Sequence, residues 1–137
     1  MTISKDIKFD CAHMLSNYEG KCANLHGHTY HGTVTLTGDV GPGGMLVDYN
    51  RIKDIVDAFD HAIVFSDLTE RGAAEKALWM WANDNHMKYI TIAGGKSTAE
   101  NMAAALAQMF IEIPNVLIAH IRLSETDGSW AIAEAAK

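Results

Sequence analysis

Residues 3–13, ISKDIKFDCAH, alternate apolar and polar side chains as a half-buried β-strand does. The side chains that alternation puts on one face of this strand are Ile7, Phe9, Cys11 and His13. Residues 28–38, HTYHGTVTLTG, are rich in Thr, Val and Tyr, which favour strands. Residues 15–25 carry Asn and Gly and read as the loop between the two strands. The chain therefore opens with two strands joined by a loop.

The rest of the chain adds helices and then a second pair of strands. The predicted elements are helix 49–59 after an Asp48 N-cap, helical pattern 68–84, short strand 88–92, a helix to about 112 capped by Ser97 or Thr98, and strands 116–126 and 130–135. The order is ββ–αα–ββ with an inserted segment near 68–92. We expect a single α+β domain over residues 1–137.

Composition and charge exclude several classes of protein. The net charge is −6 with only 11 Lys and Arg residues, which argues against a nucleic-acid-binding surface. No apolar run approaches the roughly 18 residues of a membrane helix, so no membrane partner is expected. The N-terminal MTISKDIKFD lacks the apolar region of a signal peptide, and two cysteines are too few for a disulfide scaffold. We therefore expect a cytoplasmic protein.

The tripeptide His26-Gly27-His28 is the strongest candidate for a metal site. Residues two apart on a strand face the same way, so both imidazoles can reach one ion. His13, at the end of the preceding strand, is a suitable third ligand, and three imidazoles with an open position are typical of catalytic zinc. On spacing alone, a surface turn with solvated imidazoles fits equally well. His31 falls on the opposite face and is interpreted as a non-ligand.

Five other residues are candidates for chemistry. Cys22 lies four residues before His26, where a neighbouring cation would lower the pKa of its thiol; Cys11, on the face of His13, competes for that role. Asp60 and His61 are adjacent and could form an acid/base pair. Glu125 ends an apolar strand, and a ligand with two parallel N–H donors would satisfy its carboxylate.

A family resemblance joins these pieces. The ordered motifs are FDCAH (9–13), CANLHGH (22–28), VDY (47–49), DHA (60–62), STAEN (97–101) and SET (124–126). Together they resemble the superfamily of 6-pyruvoyltetrahydropterin and 6-carboxytetrahydropterin synthases. The resemblance implies a tunnelling fold, a ββααββ unit with an antiparallel sheet, helices on one face, and assembly into an oligomeric barrel, commonly a homohexamer.

The resemblance also implies roles for individual residues. His13, His26 and His28 match the zinc ligands, and Cys22 matches the catalytic thiol. Asp60 with His61 matches a proton-relay pair, and Glu125 matches the carboxylate that grips the pterin. Cys11 stands where the family commonly has alanine, so an extra thiol near the metal is an open possibility.

The spacing of the cysteine and histidines suggests a branch of the superfamily. C-x3-H-G-H, from Cys22 to His28, is similar to the bacterial branch of the queuosine pathway, lyases that form 6-carboxytetrahydropterin from 7,8-dihydroneopterin triphosphate. The alternatives are the pyruvoyl-forming branch, a non-catalytic zinc- or pterin-binding homologue, and a zinc hydrolase.

Overall fold

The computed structural model describes all residues, 1–137, as a six-stranded sheet with three α-helices. The strands are β1 (Thr2–His13), β2 (His26–Gly38), β3 (Ala62–Phe65), β4 (Tyr89–Thr91), β5 (Val116–Ser124) and β6 (Ala131–Ala136). The helices are α1 (Tyr49–Asp57), α2 (Ala73–Asp84) and α3 (Ala99–Ile111), with 3₁₀ turns at Lys21–Ala23 and Leu68–Glu70. The order of strands across the sheet is β4-β3-β1-β2-β5-β6. The α+β class predicted from the sequence is confirmed.

The antiparallel pair β1–β2 is the centre of the sheet. Phe9 lies opposite Tyr30 in the register, and their rings stack with centroids 5.2 Å apart. Toward the end of β1, His13 lies opposite His26. Residues directly opposite in an antiparallel pair share a face of the sheet. His13 and His26 therefore lie on the same face as Phe9 and Tyr30, next to the apolar core.

Helices α1 and α3 cover that face. Ile52 and Val56 of α1 and Leu106 and Phe110 of α3 are buried in the same core as the odd-numbered residues of β1. The opposite face is polar, with hydrogen bonds between strands such as Ser4 Oγ to Thr35 Oγ1 at 2.8 Å. The expectation of helices on one face is met by α1 and α3. None of the helices is both long and apolar enough to span a lipid bilayer.

The sheet is mixed rather than purely antiparallel. β3 pairs with β1 in parallel, and β4 pairs with β3 in parallel, while the other pairs are antiparallel. Strand β3, residues AIVF, was not predicted because four apolar residues carry too short a pattern. The parallel β3–β4 pair needs a crossover, and α2 supplies it. The predicted insertion near 68–92 thus contains α2 and β4.

The start of α2 differs from the sequence prediction, whereas the start of α3 agrees with it. The second helix begins at Ala73 rather than near 68, because Asp67 caps a separate 3₁₀ turn and Arg71 is extended. Of the two candidate caps for α3, Thr98 is the N-cap, and its hydroxyl accepts from the Asn101 amide. Ser97 is consequently free for other contacts.

Candidate active site

Three histidines converge where β1 ends and β2 begins. His13 and His26 are opposite each other, and His28 lies opposite Cys11 on the same face. The ring centroid of His13 lies 4.5 Å from that of His26 and 5.4 Å from that of His28. His13 is buried, with 2% of its side chain exposed. The register of the first hairpin therefore brings together all three histidines selected from the sequence.

Backbone carbonyls fix two of these rings. Nδ1 of His13 lies 2.5 Å from the carbonyl oxygen of Ser97, and Nδ1 of His26 lies 2.7 Å from that of Asn24. A carbonyl only accepts, so Nδ1 of each ring carries the proton and Nε2 presents its lone pair. This is the tautomer that a metal-binding histidine needs.

The Nε2 atoms of all three histidines are buried and lack a hydrogen-bond partner. Unsatisfied buried nitrogens are costly, so three in one place call for a ligand that the chain itself does not supply. One ligand atom each from His13, His26, His28 and Glu125 lies within 4.8 Å of the others. Three imidazoles and a carboxylate are a donor set that suits zinc and related divalent ions. The arrangement fits a metal site.

Glu125 enters this cluster from the end of β5. Its Oε1 lies 3.1 Å from Nε2 of both His13 and His28, although neither nitrogen has hydrogen-bond geometry toward it. The hydroxyl of the buried Tyr30 donates to the same Oε1 at 3.0 Å. The hydrogen bond from Tyr30 favours the ionised form of the Glu125 carboxyl. Glu125 is therefore a carboxylate at neutral pH.

The two cysteines occupy different environments. Cys22 is half-buried in the 3₁₀ turn Lys21–Ala23, and its carbonyl accepts from the Leu15 amide at 2.9 Å. Cys11 is buried within β1, and burial, reinforced by Glu125, raises the pKa of its thiol to about 12. Of the two, Cys22 is the thiol that solvent can reach, and neither belongs to the four-residue cluster.

Asp60 and His61 form a second polar group beside β1. Asp60 accepts from the Asp10 amide at 2.9 Å through Oδ1 and lies 2.9 Å from Nδ1 of His61 through Oδ2. His61, with φ of 58°, donates its own amide to the Asp10 carbonyl. Both contacts are with the backbone of Asp10, and neither Asp60 nor His61 belongs to the four-residue cluster. Within one chain the pair does not join the cluster.

A cavity of about 460 Å³ adjoins this second group. Its lining residues are Asp10, Cys11, Ala12, Gly27, His28, Thr29, His61, Ala62 and Ile63. Asp10 and Thr29, which are hydrogen-bonded to each other across β1–β2, contribute polar groups to it. His61 and His28 therefore line the same cavity.

The comparison with protein families covers almost the whole chain. The family model of 6-pyruvoyl tetrahydropterin synthase matches residues 2–136. The chain belongs to this family.

Relatives in the family carry a related name. A protein of Haemophilus influenzae named 6-carboxy-5,6,7,8-tetrahydropterin synthase is 34% identical, over 93% of this chain and 94% of its own length. A protein of the same name from Rickettsia bellii is 26% identical over 90% and 92%.

Solved structures of the family share the fold. A 6-pyruvoyl tetrahydropterin synthase from Plasmodium vivax superposes with a TM-score of 0.62 at 16% identity, covering 100% of this chain and 99% of that one. The Caenorhabditis elegans structure of that name gives 0.57 at 22%, covering 100% and 95%. At these identities the likeness concerns the fold.

Two residues of this family member's site were missed from the sequence. Tyr30 lies two positions after His28, so strand alternation already places it on the cluster's face. Ser97 gave a weaker signal, since it was considered only as a helix cap. Its carbonyl contact with His13 spans 84 residues and depends on how α3 docks.

Proposed function

We propose that this protein converts 7,8-dihydroneopterin triphosphate and water into 6-carboxy-5,6,7,8-tetrahydropterin, acetaldehyde and triphosphate. The observation that carries the proposal is the cluster of three buried, unpartnered Nε2 atoms in a chain that aligns end to end with a relative of that name. The C-x3-H-G-H spacing of Cys22 and His28 supports the same branch. The queuosine pathway, a cytoplasmic location and a homohexamer are parts of this proposal.

The metal of the proposal is Zn²⁺, held by His13, His26 and His28. Their Nε2 atoms are buried and unpartnered, and two of the rings are fixed in the ligating tautomer. Bound zinc would supply Lewis acidity, which lowers the pKa of a substrate hydroxyl.

Glu125 is the residue we propose to hold the pterin. All of its contacts within the chain are made by Oε1, so Oε2 remains available to accept from a ligand N–H. Because Glu125 is ionised, such a bond is charge-assisted and directional. Its closeness to His13 and His28 would hold the ring beside the metal ligands, where small errors of position are costly.

Cys22 is the proposed base that moves protons between the side chain and the ring of the substrate. It is the accessible thiol, and it lies in the loop that leads directly to His26. Asp60 and His61 are proposed as the second acid/base group, because the carboxylate at 2.9 Å orients the imidazole.

The competing reaction is loss of triphosphate to give 6-pyruvoyltetrahydropterin, the product in the name of the family and of the Plasmodium vivax structure. Zinc-loaded protein should be incubated with 7,8-dihydroneopterin triphosphate, and the products identified by mass spectrometry. A 6-carboxy product with acetaldehyde supports the proposal, and a 6-pyruvoyl product replaces it with the alternative. No conversion by folded, zinc-loaded protein would favour a non-catalytic pterin-binding homologue.

A further inference from the structure

Glu75 is a completely buried carboxylate outside the histidine cluster. It lies in the first turn of α2, its exposure is 0%, and it makes no ion pair with Lys, Arg or His. Its oxygens are satisfied by two donors, the Ser66 amide to Oε1 at 2.7 Å and the Ser16 hydroxyl to Oε2. Burying a carboxylate costs free energy of folding, and an apolar side chain of similar volume often gives equal or greater stability. Its two partners therefore indicate a role in positioning.

The first partner leads to a candidate metal ligand. Ser66, whose amide donates to Glu75, accepts from the Ser97 amide through its own Oγ at 3.0 Å. The Ser97 carbonyl then accepts from Nδ1 of His13 at 2.5 Å. All four residues in this chain of contacts are buried. A shift of Ser66 would therefore be transmitted to the ring of His13.

The second partner leads to the loop that carries Cys22. Ser16, whose hydroxyl donates to Glu75, follows Leu15, and the Leu15 amide donates to the Cys22 carbonyl at 2.9 Å. The carboxylate thus ties the start of the β1–β2 loop to α2. Glu75 thus contacts two sets of residues, the His13 arm (Ser66, Ser97 and His13) and the Cys22 arm (Ser16, Leu15 and Cys22). A second link runs from the Ser97 hydroxyl to the Met14 carbonyl at 3.3 Å.

Arg71 reinforces the same junction from the other side. Its Nε donates to the Ser66 carbonyl at 2.8 Å, and its guanidinium lies 5.3 Å from the ring centroid of Phe65 and 5.5 Å from that of Trp79. All three polar groups of Ser66, the amide, carbonyl and hydroxyl, are consequently engaged. Ser66 is therefore held at this junction by three hydrogen bonds.

We propose that Glu75 is a positioning residue that holds the ring of His13 and the loop of Cys22 in their working geometry through Ser66 and Ser16. The crossover segment near 68–92 thereby acquires a role in the site. The Cys22 arm rests on the proposed function, whereas the His13 arm requires only that the cluster binds a metal.

The test compares Glu75→Met with Glu75→Gln. Methionine fills similar volume without an acceptor for either donor, whereas glutamine can accept from Ser66 and donate to Ser16 after its hydroxyl rotates. Affinity for Co²⁺ is measured by its visible absorption, without substrate. We expect Glu75→Met to lose about tenfold, the low end for outer-shell changes because two serines intervene. Glu75→Gln should stay within about threefold, a rescue that volume alone would not give.

Two further variants separate the arms. Ser66→Ala should lower Co²⁺ affinity and leave the rate at which iodoacetamide alkylates Cys22 unchanged. Ser16→Ala should change that alkylation rate and leave Co²⁺ affinity unchanged. The rates are measured in a Cys11→Ala background, so that one thiol reacts. Ile52→Val is the control, because it loosens the core without touching either arm.

Each outcome decides between positioning and simple stability. Equal losses of Co²⁺ affinity in Glu75→Met and in Ile52→Val would reduce Glu75 to a stability residue. If Glu75→Met does not fold, the Ser66→Ala and Ser16→Ala pair decides, and unaltered metal affinity and thiol rate there would overturn the proposal. Co²⁺ affinity is measured without substrate, so it does not depend on the proposed reaction. If wild-type protein binds Co²⁺ but forms no pterin product in the separate assay with 7,8-dihydroneopterin triphosphate, the proposed function is refuted and the proposal for the His13 arm still stands.

Discussion

The carbonyl oxygen of Ser97 lies 2.5 Å from Nδ1 of His13, joining two residues 84 positions apart. The contact fixes the proton on Nδ1 and leaves Nε2, which has no partner, facing the other histidines. The Asn24 carbonyl does the same for His26 from only two residues away. The ring of His26 is thus held by the loop before β2, and the ring of His13 by the segment before α3.

Removal of the metal is the first prediction. Stripping with a chelator should lower the midpoint of thermal unfolding, because a ligand that binds only the folded state stabilises it by about 2.7 kcal/mol at 100 times its Kd. Adding Zn²⁺ back should restore the midpoint. His26→Ala should abolish this response, whereas His31→Ala, altered on the exposed side of the same strand, should keep it. An equal response in both variants would move the metal elsewhere.

Cys22→Ala should bind zinc normally and lose turnover by a factor of about 10² to 10⁴, the usual contribution of a positioned acid/base group. The matched variant is Cys11→Ala, which removes the buried thiol of β1. It should retain turnover, because that thiol is held protonated by its high pKa. Metal content and initial rate are the two measurements, and a reversed order of rates would transfer the role to Cys11.

Strand alternation made His13, His26 and His28 candidates, because which residues share a face is a local property of a strand, and the family resemblance favoured a metal site over a surface turn. It could not select Ser97 or Glu75. Their links to the site depend on where α3 and α2 dock, and Ser16 to Glu75 already spans 59 residues. Such contacts leave no periodic signal.

For Glu125, the sequence predicted the kind of residue but not its position in the site. Its place at the end of an apolar strand predicted a buried carboxylate, and the resemblance supplied a pterin-binding role. Its position 3.1 Å from two of the histidines follows from the register of β5 against β2, which pairs Ser124 with His31. That register is set by tertiary packing and could not be read from residues 116–126. Strand β3 was not predicted either: its four residues are too short for a pattern, and its pairing with β1 and β4 depends on tertiary packing.

Glu125→Gln should weaken substrate binding more than metal binding. The change replaces charge-assisted hydrogen bonds, worth about 1.5–3 kcal/mol each, by neutral ones, so the Kd for a pterin should rise about 10- to 100-fold. Zn²⁺ affinity, measured by competition with a chromophoric chelator, should stay within about threefold. The reverse pattern, lost zinc with unchanged pterin affinity, would make Glu125 a fourth metal ligand.

Asp60→Asn should reduce stability at neutral pH but not in acid. The Asp10 amide, followed by His61, holds the pKa of Asp60 below its ordinary value of 3.8, so the folded state favours the carboxylate. Such a group stabilises the protein fully above the unfolded pKa, and the contribution is lost as pH falls through the lower folded pKa. The Asp60 side chain is 36% exposed, so solvent screening limits the effect to less than about 1 kcal/mol.

The measurement is urea unfolding of wild type and Asp60→Asn between pH 7 and pH 2.5. The difference in free energy of unfolding should be constant down to about pH 5 and then shrink toward zero. Asp84→Asn is the charge-matched control, because the Asp84 carboxylate makes no hydrogen bond and lies far along α2. A difference that grows in acid, or one that Asp84→Asn reproduces, would mean that the contacts of Asp60 with Asp10 and His61 do not favour its ionised form.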